Sequence, residues 1–194
     1  MKSYKDYMLF DKLPQTWCAG CSHGIVLQSI AAVMAELEVD KHDMALVSGI
    51  GCFGRVDDYL DINCMHVTHG RALAAATGVA LGNPNLNVLV TMGDGDGTTI
   101  GGNHLIHAAR RNINVTAIIS NNYNYGQTGG QYSATTRPTA LPRPLLMAML
   151  NRLLISASLP LPQEPATLAV PRPITPHDPQ AHQGRNAGQR VLPH

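Results

Sequence analysis

Hydrophobic residues in the first two thirds of the chain recur with two alternating periods. Apolar residues at helical spacing predict three helices, at 25–37, 70–81 and 101–111. Short β-branched runs predict strands at 44–48, 86–92 and 113–120, each leading into glycine or polar residues. Apolar strands that alternate with helices are typical of a parallel sheet covered on both faces. The pattern therefore predicts an α/β fold with its ligand loops at the carboxyl ends of the strands.

The composition of the chain changes abruptly after Thr136. Eleven of the 13 prolines lie from Pro138 onward, whereas 16 of the 18 glycines lie before Thr136. We therefore divide the chain into an α/β domain at 1–136 and an irregular, proline-rich tail at 137–194. One apolar helix is predicted at 145–159, and disorder beyond it. Two interpretations of the tail stay open: an out-of-frame or misassembled gene end, and a lineage-specific extension.

The charge pattern excludes several classes of function. The formal net charge is +1 and charged residues make up 14% of the chain, so no basic surface for nucleic acid is expected. No run of about 18 apolar residues could span a membrane. The first residues also lack the apolar stretch of a secretory signal, and we expect a cytoplasmic protein. Two explanations of the low fraction of charged residues are equally good: burial of the surface against partner subunits, and an α/β domain rich in small residues.

Two polar motifs follow neighbouring predicted strands. The first is Gly-Asp-Gly-Asp-Gly at 93–97, and the second is Asn121-Asn122. Since 28 positions (122 − 94) separate Asp94 from Asn122, one helix and one strand fit between them and both side chains emerge at the same edge of the sheet. Carboxylate and amide oxygens suit Mg²⁺, and glycines allow backbone N–H groups to approach an anion. The pair predicts a metal and phosphate site, whereas either motif alone is also typical of an ordinary turn.

Three of the four cysteines form a further motif. Cys18 and Cys21 have the Cys-x-x-Cys spacing, and Cys52 follows 31 positions later (52 − 21). In a cytosolic chain such a pair indicates metal or redox chemistry more than a structural disulfide. Thiolates suit an iron–sulfur cluster or zinc, and a zinc half-site or two buried thiols remain alternatives.

These motifs together resemble a known family. The stretch GDGDGTTIGGNHLIHAARRNINVTAIISNNYNYGQTGGQYSATT, together with WCAGCSHG, GIGC and HGRALAAATG, is similar to the β subunits of 2-oxoacid:ferredoxin oxidoreductases. The resemblance runs from about Leu13 to about Thr136 and covers every glycine-rich loop. It implies a thiamine-diphosphate-binding fold, shortened relative to the family. The motifs are most similar to those of the 2-oxoglutarate enzymes.

The resemblance also implies site residues. Mg²⁺ is expected to bind Asp94, the side chain of Asn122 and the carbonyl of Asn124. Contacts with the diphosphate are expected from Gly95, Asp96, Gly126 and Gln127. The remaining pocket residues are expected to be Ile50, Gly51, Cys52, Phe53, His69 and Arg71, with His69 and Arg71 as the catalytic candidates. The other conspicuous histidines are interpreted as exposed or packing residues: His23, His66, His104 and His107.

The family pattern assigns a [4Fe-4S] cluster to the cysteines. By resemblance Cys18, Cys21 and Cys52 are three of its four ligands. The fourth is expected far downstream, but no cysteine follows Cys64, which falls in an ordinary segment of the pattern and is interpreted as a non-ligand. The cluster of this chain is therefore expected to be incomplete and labile, or absent.

The activity implied by the resemblance is oxidative decarboxylation of a 2-oxoacid, which is coenzyme A-dependent and passes electrons to ferredoxin. The family supplies a required Glu from an α subunit, so we expect the isolated chain to be catalytically incomplete; γ and δ subunits are further candidate partners. Two alternatives stay open. One is a subunit of a non-oxidative thiamine-diphosphate decarboxylase or synthase, and the other is a non-catalytic truncated remnant.

Overall fold

The computed structural model describes residues 2–136, and the tail with its predicted helix at 145–159 lies outside the described residues. Four parallel strands form the central sheet in the order β2-β1-β3-β4. Their bounds are Met44–Ser48 for β1, Asn63–His66 for β2, Asn87–Gly93 for β3 and Thr116–Ser120 for β4. The predicted parallel α/β sheet is confirmed.

Helices cover both faces of this sheet. Helix α1 (His23–Glu36) packs with the N-terminal segment on one face, and α2 (Ala72–Gly82) and α3 (Gly102–Arg110) lie on the other. Alternate strand residues point to opposite faces, so Leu46 joins the α1 core and Val47 joins the α2–α3 core. Within the described residues no helix has the length and apolar character to span a membrane.

The observed elements differ from the predicted ones mainly at their ends and at one edge. The three predicted helices and three predicted strands are all present, and their ends agree to within three residues. Strand β2 was not predicted, because its sequence Asn-Cys-Met-His has no apolar alternation and all four residues are exposed. It pairs with β1 alone, as an edge strand.

Three irregular elements shape the ends of the strands. A six-residue π-helical turn, Gly95–Ile100, joins β3 to α3, with Gly101 N–H donating to Asp96 O at 2.8 Å. A 3₁₀ turn, Phe53–Asp58, follows β1. A short antiparallel hairpin, β5 (Asn124–Tyr125) with β6 (Gln131–Tyr132), follows β4. All three lie at or beyond the carboxyl ends of the strands that they follow.

Two glycines provide a matched test of the packing around α2. Gly70 has a φ of +74°, and a Cβ there would lie 2.8 Å from the carbonyl carbon of Ile100. Gly78, within α2, has open space around the same position. We expect Gly70→Ala to lower the free energy of unfolding by about 1–3 kcal/mol. Gly78→Ala should raise it by about 0.5–1 kcal/mol, because alanine favours the helix. Urea unfolding followed by circular dichroism measures both, and equal effects of the two substitutions would contradict the packing described.

Candidate cofactor site

A cavity opens at the carboxyl ends of β1, β3 and β4. Every residue predicted to hold the diphosphate or the metal lines it, as do the predicted pocket residues with the exception of Arg71. The structure therefore brings together four separate loops, which contribute Ile50, Gly51, Cys52, Phe53, His69, Asp94, Gly95, Asp96, Asn122, Asn124, Gly126 and Gln127.

The Asp94 carboxylate is buried, with 1% of the residue exposed. Its Oδ2 accepts hydrogen bonds from the hydroxyls of Ser133 and Thr135, both at 2.5 Å. Its Oδ1 faces the next loop, where the Asn122 backbone N–H lies 3.4 Å away. Two donors thus hold one oxygen and orient the other toward the cavity, as the outer contacts of a metal ligand commonly do.

The side-chain amide of Asn122 lies between two oxygens. One of its terminal atoms is 2.7 Å from Asp94 Oδ1 and 2.8 Å from the Asn124 carbonyl oxygen. With nitrogen at this position the amide donates to both oxygens. With oxygen there, three oxygens converge and require a cation between them.

The spacing of these three positions suits magnesium. Ligands about 2.0–2.1 Å from Mg²⁺ in an octahedron are about 2.9 Å from their neighbours, close to the observed separations. The Asn124 side-chain Oδ1 is also buried without a hydrogen-bond partner. The donor set of Asp94, Asn122 and Asn124 therefore fits the predicted ion.

Asp96 has its carboxylate engaged inside the protein. Its Oδ1 accepts the Gly70 backbone N–H at 2.6 Å and lies 2.6 Å from His69 Nδ1. Burial raises the pKa of Asp96, and the Gly70 N–H, His69 and the Ile50 N–H oppose that change. Since a carboxylate repels a diphosphate, the backbone N–H is the group of Asp96 that suits the predicted contact.

The two catalytic candidates occupy different places. His69 lines the cavity, and its ring meets that of Tyr125 edge-on with centroids 5.8 Å apart. Arg71 is exposed at the start of α2, where its Nη1 lies 2.6 Å from His104 Nε2. Arg71 does not line the cavity as the described residues form it, and its place in the cofactor pocket stays a prediction.

Two of the three predicted cluster cysteines share one turn. Cys21 N–H donates to Cys18 O at 3.0 Å, and the Trp17 indole N–H donates to Cys52 O at 2.6 Å, which joins the two loops. Burial raises the pKa of Cys52, and the nearby Cys21 and Cys18 raise it further. Within residues 2–136, however, no three Cys, His, Asp or Glu side chains are grouped as a metal site. The cluster therefore stays a prediction.

His23 is a cavity residue that was expected to be an exposed or packing histidine. Its residue surface is 5% exposed, its Nε2 lies 2.9 Å from Ser120 Oγ and its Nδ1 lies 3.2 Å from Cys21 Sγ. Burial lowers the pKa of His23. Its position two residues after Cys21 was the available signal. Ser133 and Thr135 were also missed, because hydroxyl residues near a predicted domain end carry no distinctive pattern.

The hydroxyls behind Asp94 generate a testable prediction. Ser133→Ala and Thr135→Val should each weaken Mg²⁺ binding by about tenfold, because each removes a donor that orients the carboxylate. Trp17 is the single tryptophan, and its contact with Cys52 makes its fluorescence a suitable readout in Mg²⁺ titrations with thiamine diphosphate present. The control is Ser29→Ala, whose exposed hydroxyl bonds within α1. Unchanged affinity in both site variants would contradict the role assigned to these hydroxyls.

The chain is similar to several known proteins. A family model described as thiamine pyrophosphate enzyme, C-terminal TPP binding domain, matches residues 42–147. The 2-oxoglutarate synthase subunit KorB of Archaeoglobus fulgidus is 58% identical over 134 residues, which are 69% of this chain and 49% of that protein. The 2-oxoglutarate oxidoreductase subunit KorB of Mycobacterium tuberculosis is 45% identical over 148 residues, 76% of this chain and 40% of that protein.

A solved structure gives a similar result. The 2-oxoglutarate:ferredoxin oxidoreductase from Magnetococcus marinus, with 2-oxoglutarate, coenzyme A and succinyl-CoA bound, matches with a TM-score of 0.66 and 42% sequence identity, and the match covers 78% of this chain and 55% of that one. The chain spans about half the length of the curated relatives it matches. It belongs to the thiamine pyrophosphate enzymes, as a chain with their C-terminal cofactor-binding domain, and the relatives that it matches are subunits of 2-oxoglutarate and 2-oxoacid:ferredoxin oxidoreductases.

Proposed function

We propose that this chain is the thiamine-diphosphate-binding β subunit of a 2-oxoacid:ferredoxin oxidoreductase with 2-oxoglutarate as its substrate. In this proposal the complete enzyme converts the 2-oxoacid and coenzyme A to an acyl-CoA and CO₂, and two electrons pass to ferredoxin. The names of the relatives support the reaction, and the Magnetococcus marinus structure supports the substrate and coenzyme A.

The observation that carries the proposal is the convergence of oxygens at the ends of β3 and β4. One terminal atom of the Asn122 amide lies 2.7 Å from Asp94 Oδ1 and 2.8 Å from the Asn124 carbonyl oxygen. They would hold Mg²⁺, which in turn would hold the diphosphate of the cofactor. Gly95, Gly126 and Gln127 would complete the diphosphate contacts from the cavity wall, together with the Asp96 backbone.

The chemistry is divided between the cofactor and the protein. When bound, thiamine diphosphate supplies the carbon nucleophile and the electron sink for decarboxylation. His69 Nδ1 lies 2.6 Å from Asp96 Oδ1, so Nε2 is the nitrogen that would contact an oxygen of the substrate or cofactor. The carboxylates in the cavity wall are Asp94 and Asp96, and both are already engaged. We therefore assign the remaining acidic group to the Glu of an α subunit, and we give Arg71 no role in the cavity.

The electron route is the second part of the proposal. Cys18, Cys21 and Cys52 would hold a [4Fe-4S] cluster, and the hydrogen bond from Trp17 to Cys52 O supports their proximity. The chain has no cysteine after Cys64, so the fourth iron would lack a cysteine from this chain and the cluster would be labile. Partner subunits would be the α subunit, with γ and δ subunits as further candidates. All four cysteines are free thiols, which suits a cytoplasmic location.

Cofactor binding by the full-length chain tests the metal site. Isothermal titration should show binding of thiamine diphosphate that depends on Mg²⁺. Asp94→Asn keeps the shape of the side chain but removes its charge, so binding should weaken by more than about tenfold. Asp11→Asn, at a side chain that is 70% exposed, is the matched control. Absence of binding by the unmodified chain would favour a non-catalytic remnant instead.

Iron analysis separates the oxidoreductase from a non-oxidative thiamine enzyme. We expect iron and acid-labile sulfide in the anaerobically purified chain, because thiolates are the usual protein ligands of such clusters. Cys52→Ser should lower both contents, whereas Cys64→Ser, in the edge strand β2, should not. Protein that binds thiamine diphosphate but contains no iron would support the non-oxidative decarboxylase or synthase.

A further inference from the structure

Three polar side chains outside the cavity form a closed network at the end of β1. Ser48 Oγ donates to Asp57 Oδ2 at 2.6 Å, and His66 Nδ1 lies 2.7 Å from the same Asp57 oxygen. The third side of the triangle, from Ser48 Oγ to His66 Nδ1, measures 3.0 Å. We call these three residues the clasp. They come from β1, from the 3₁₀ turn that follows it, and from β2.

The clasp closes the loop that forms one wall of the cavity. Ser48 is the last residue of β1, and Asp57 lies in the turn on the other side of the loop. The residues between them include four that line the cavity: Ile50, Gly51, Cys52 and Phe53. Neither Ser48, Asp57 nor His66 lines the cavity itself. Any effect of the clasp on a ligand is therefore exerted through the position of this loop.

Two of the three clasp residues are buried, which raises the energetic cost of losing their hydrogen bonds. The Ser48 residue is fully buried, and the Asp57 side chain is 8% exposed. Asp57 Oδ1 is buried and has no hydrogen-bond partner among residues 2–136, so within this part of the chain the carboxylate depends on the two donors at Oδ2. Loss of one donor from a buried carboxylate is costly, because water cannot replace it fully.

The loop is also held by the buried Phe53 side chain and by contacts of its backbone. Gly49 N–H donates to Thr91 O at 3.1 Å, and Trp17 donates to Cys52 O at 2.6 Å. A side chain at Gly54 would collide with the Gly49 carbonyl oxygen, so the two ends of the loop are in direct contact. The clasp is the side-chain connection between these ends, and His66 extends it to the edge strand.

We infer that Ser48, Asp57 and His66 are positioning residues that hold the loop at 49–54 in the conformation that receives thiamine diphosphate. The inference rests on the proposed cofactor site, but the order of the loop can be measured without any ligand. His66 is the best position to test, because its side chain is 44% exposed and a substitution there leaves the core intact.

A matched pair of His66 variants tests the clasp. His66→Leu removes the donor to Asp57, whereas His66→Asn keeps a nitrogen donor near the position of Nδ1. Hydrogen–deuterium exchange is measured on the full chain without ligand. In peptides that cover 49–54, His66→Leu should exchange at least tenfold faster than the unmodified chain. Exchange in β3 and α3 should be unchanged. His66→Asn should restore slow exchange, and His42→Leu, at an exposed histidine elsewhere, should have no effect.

Binding measurements complete the test. With Mg²⁺ present, His66→Leu should weaken thiamine diphosphate binding by about tenfold, and His66→Asn should bind it as the unmodified chain does. A general loss of stability would not separate the two variants in this way. Ser48→Ala should reproduce both effects of His66→Leu. Equal exchange at 49–54 in all variants, or faster exchange throughout the sheet, would overturn the inference. If the unmodified chain binds no cofactor but the exchange pattern holds, the clasp stands and the proposed function fails.

Discussion

The site depends on one constraint, the parallel register of β3 and β4. Gly93 lies opposite Ser120, so the residues that follow the two strands emerge side by side. The register alone therefore places the Asp94 carboxylate against the Asn121–Asn122 turn. A buried carboxylate at such a place needs donors or a cation. Ser133 and Thr135 supply the donors for one oxygen, and the loop after β4 presents oxygens to the other.

The carboxylates of Asp94 and Asp96, in one short turn, make contacts on different sides of that turn. Asp94 begins the π-helical turn and faces the hairpin, whereas Asp96 turns inward to the Gly70 N–H and to His69. The wide π turn, closed between Gly101 N and Asp96 O, separates them. Asp96 thereby connects the loop before α2 to the strand end at β3. One carboxylate is held at the proposed metal site, and the other lies beside the ring of His69.

The sequence predicted the parts of this arrangement that rest on regular periodicity and on glycine. Apolar runs identified β1, β3 and β4, and the Gly-Asp-Gly and Asn-Asn motifs identified two loops that meet at the cavity, because both motifs end strands. Strand β2 was not predicted, because an exposed edge strand has no apolar face that would appear as a pattern in the sequence. Arg71 was expected in the cofactor pocket, whereas the cavity formed by the described residues does not include it. The hydroxyls of Ser133 and Thr135 were missed because tertiary contacts alone give them a role.

Those hydroxyls have a consequence for the order in which the site becomes complete during synthesis. Ser133 lies 39 positions after the carboxylate that it supports. A nascent chain that has emerged only as far as Asn124 already contains all three proposed oxygen ligands. The buried oxygen of Asp94 nevertheless lacks its two donors until the next eleven residues have followed (135 − 124) and have packed against Asp94. The proposed ligands are therefore synthesised first, whereas the hydroxyls that orient Asp94 are synthesised last.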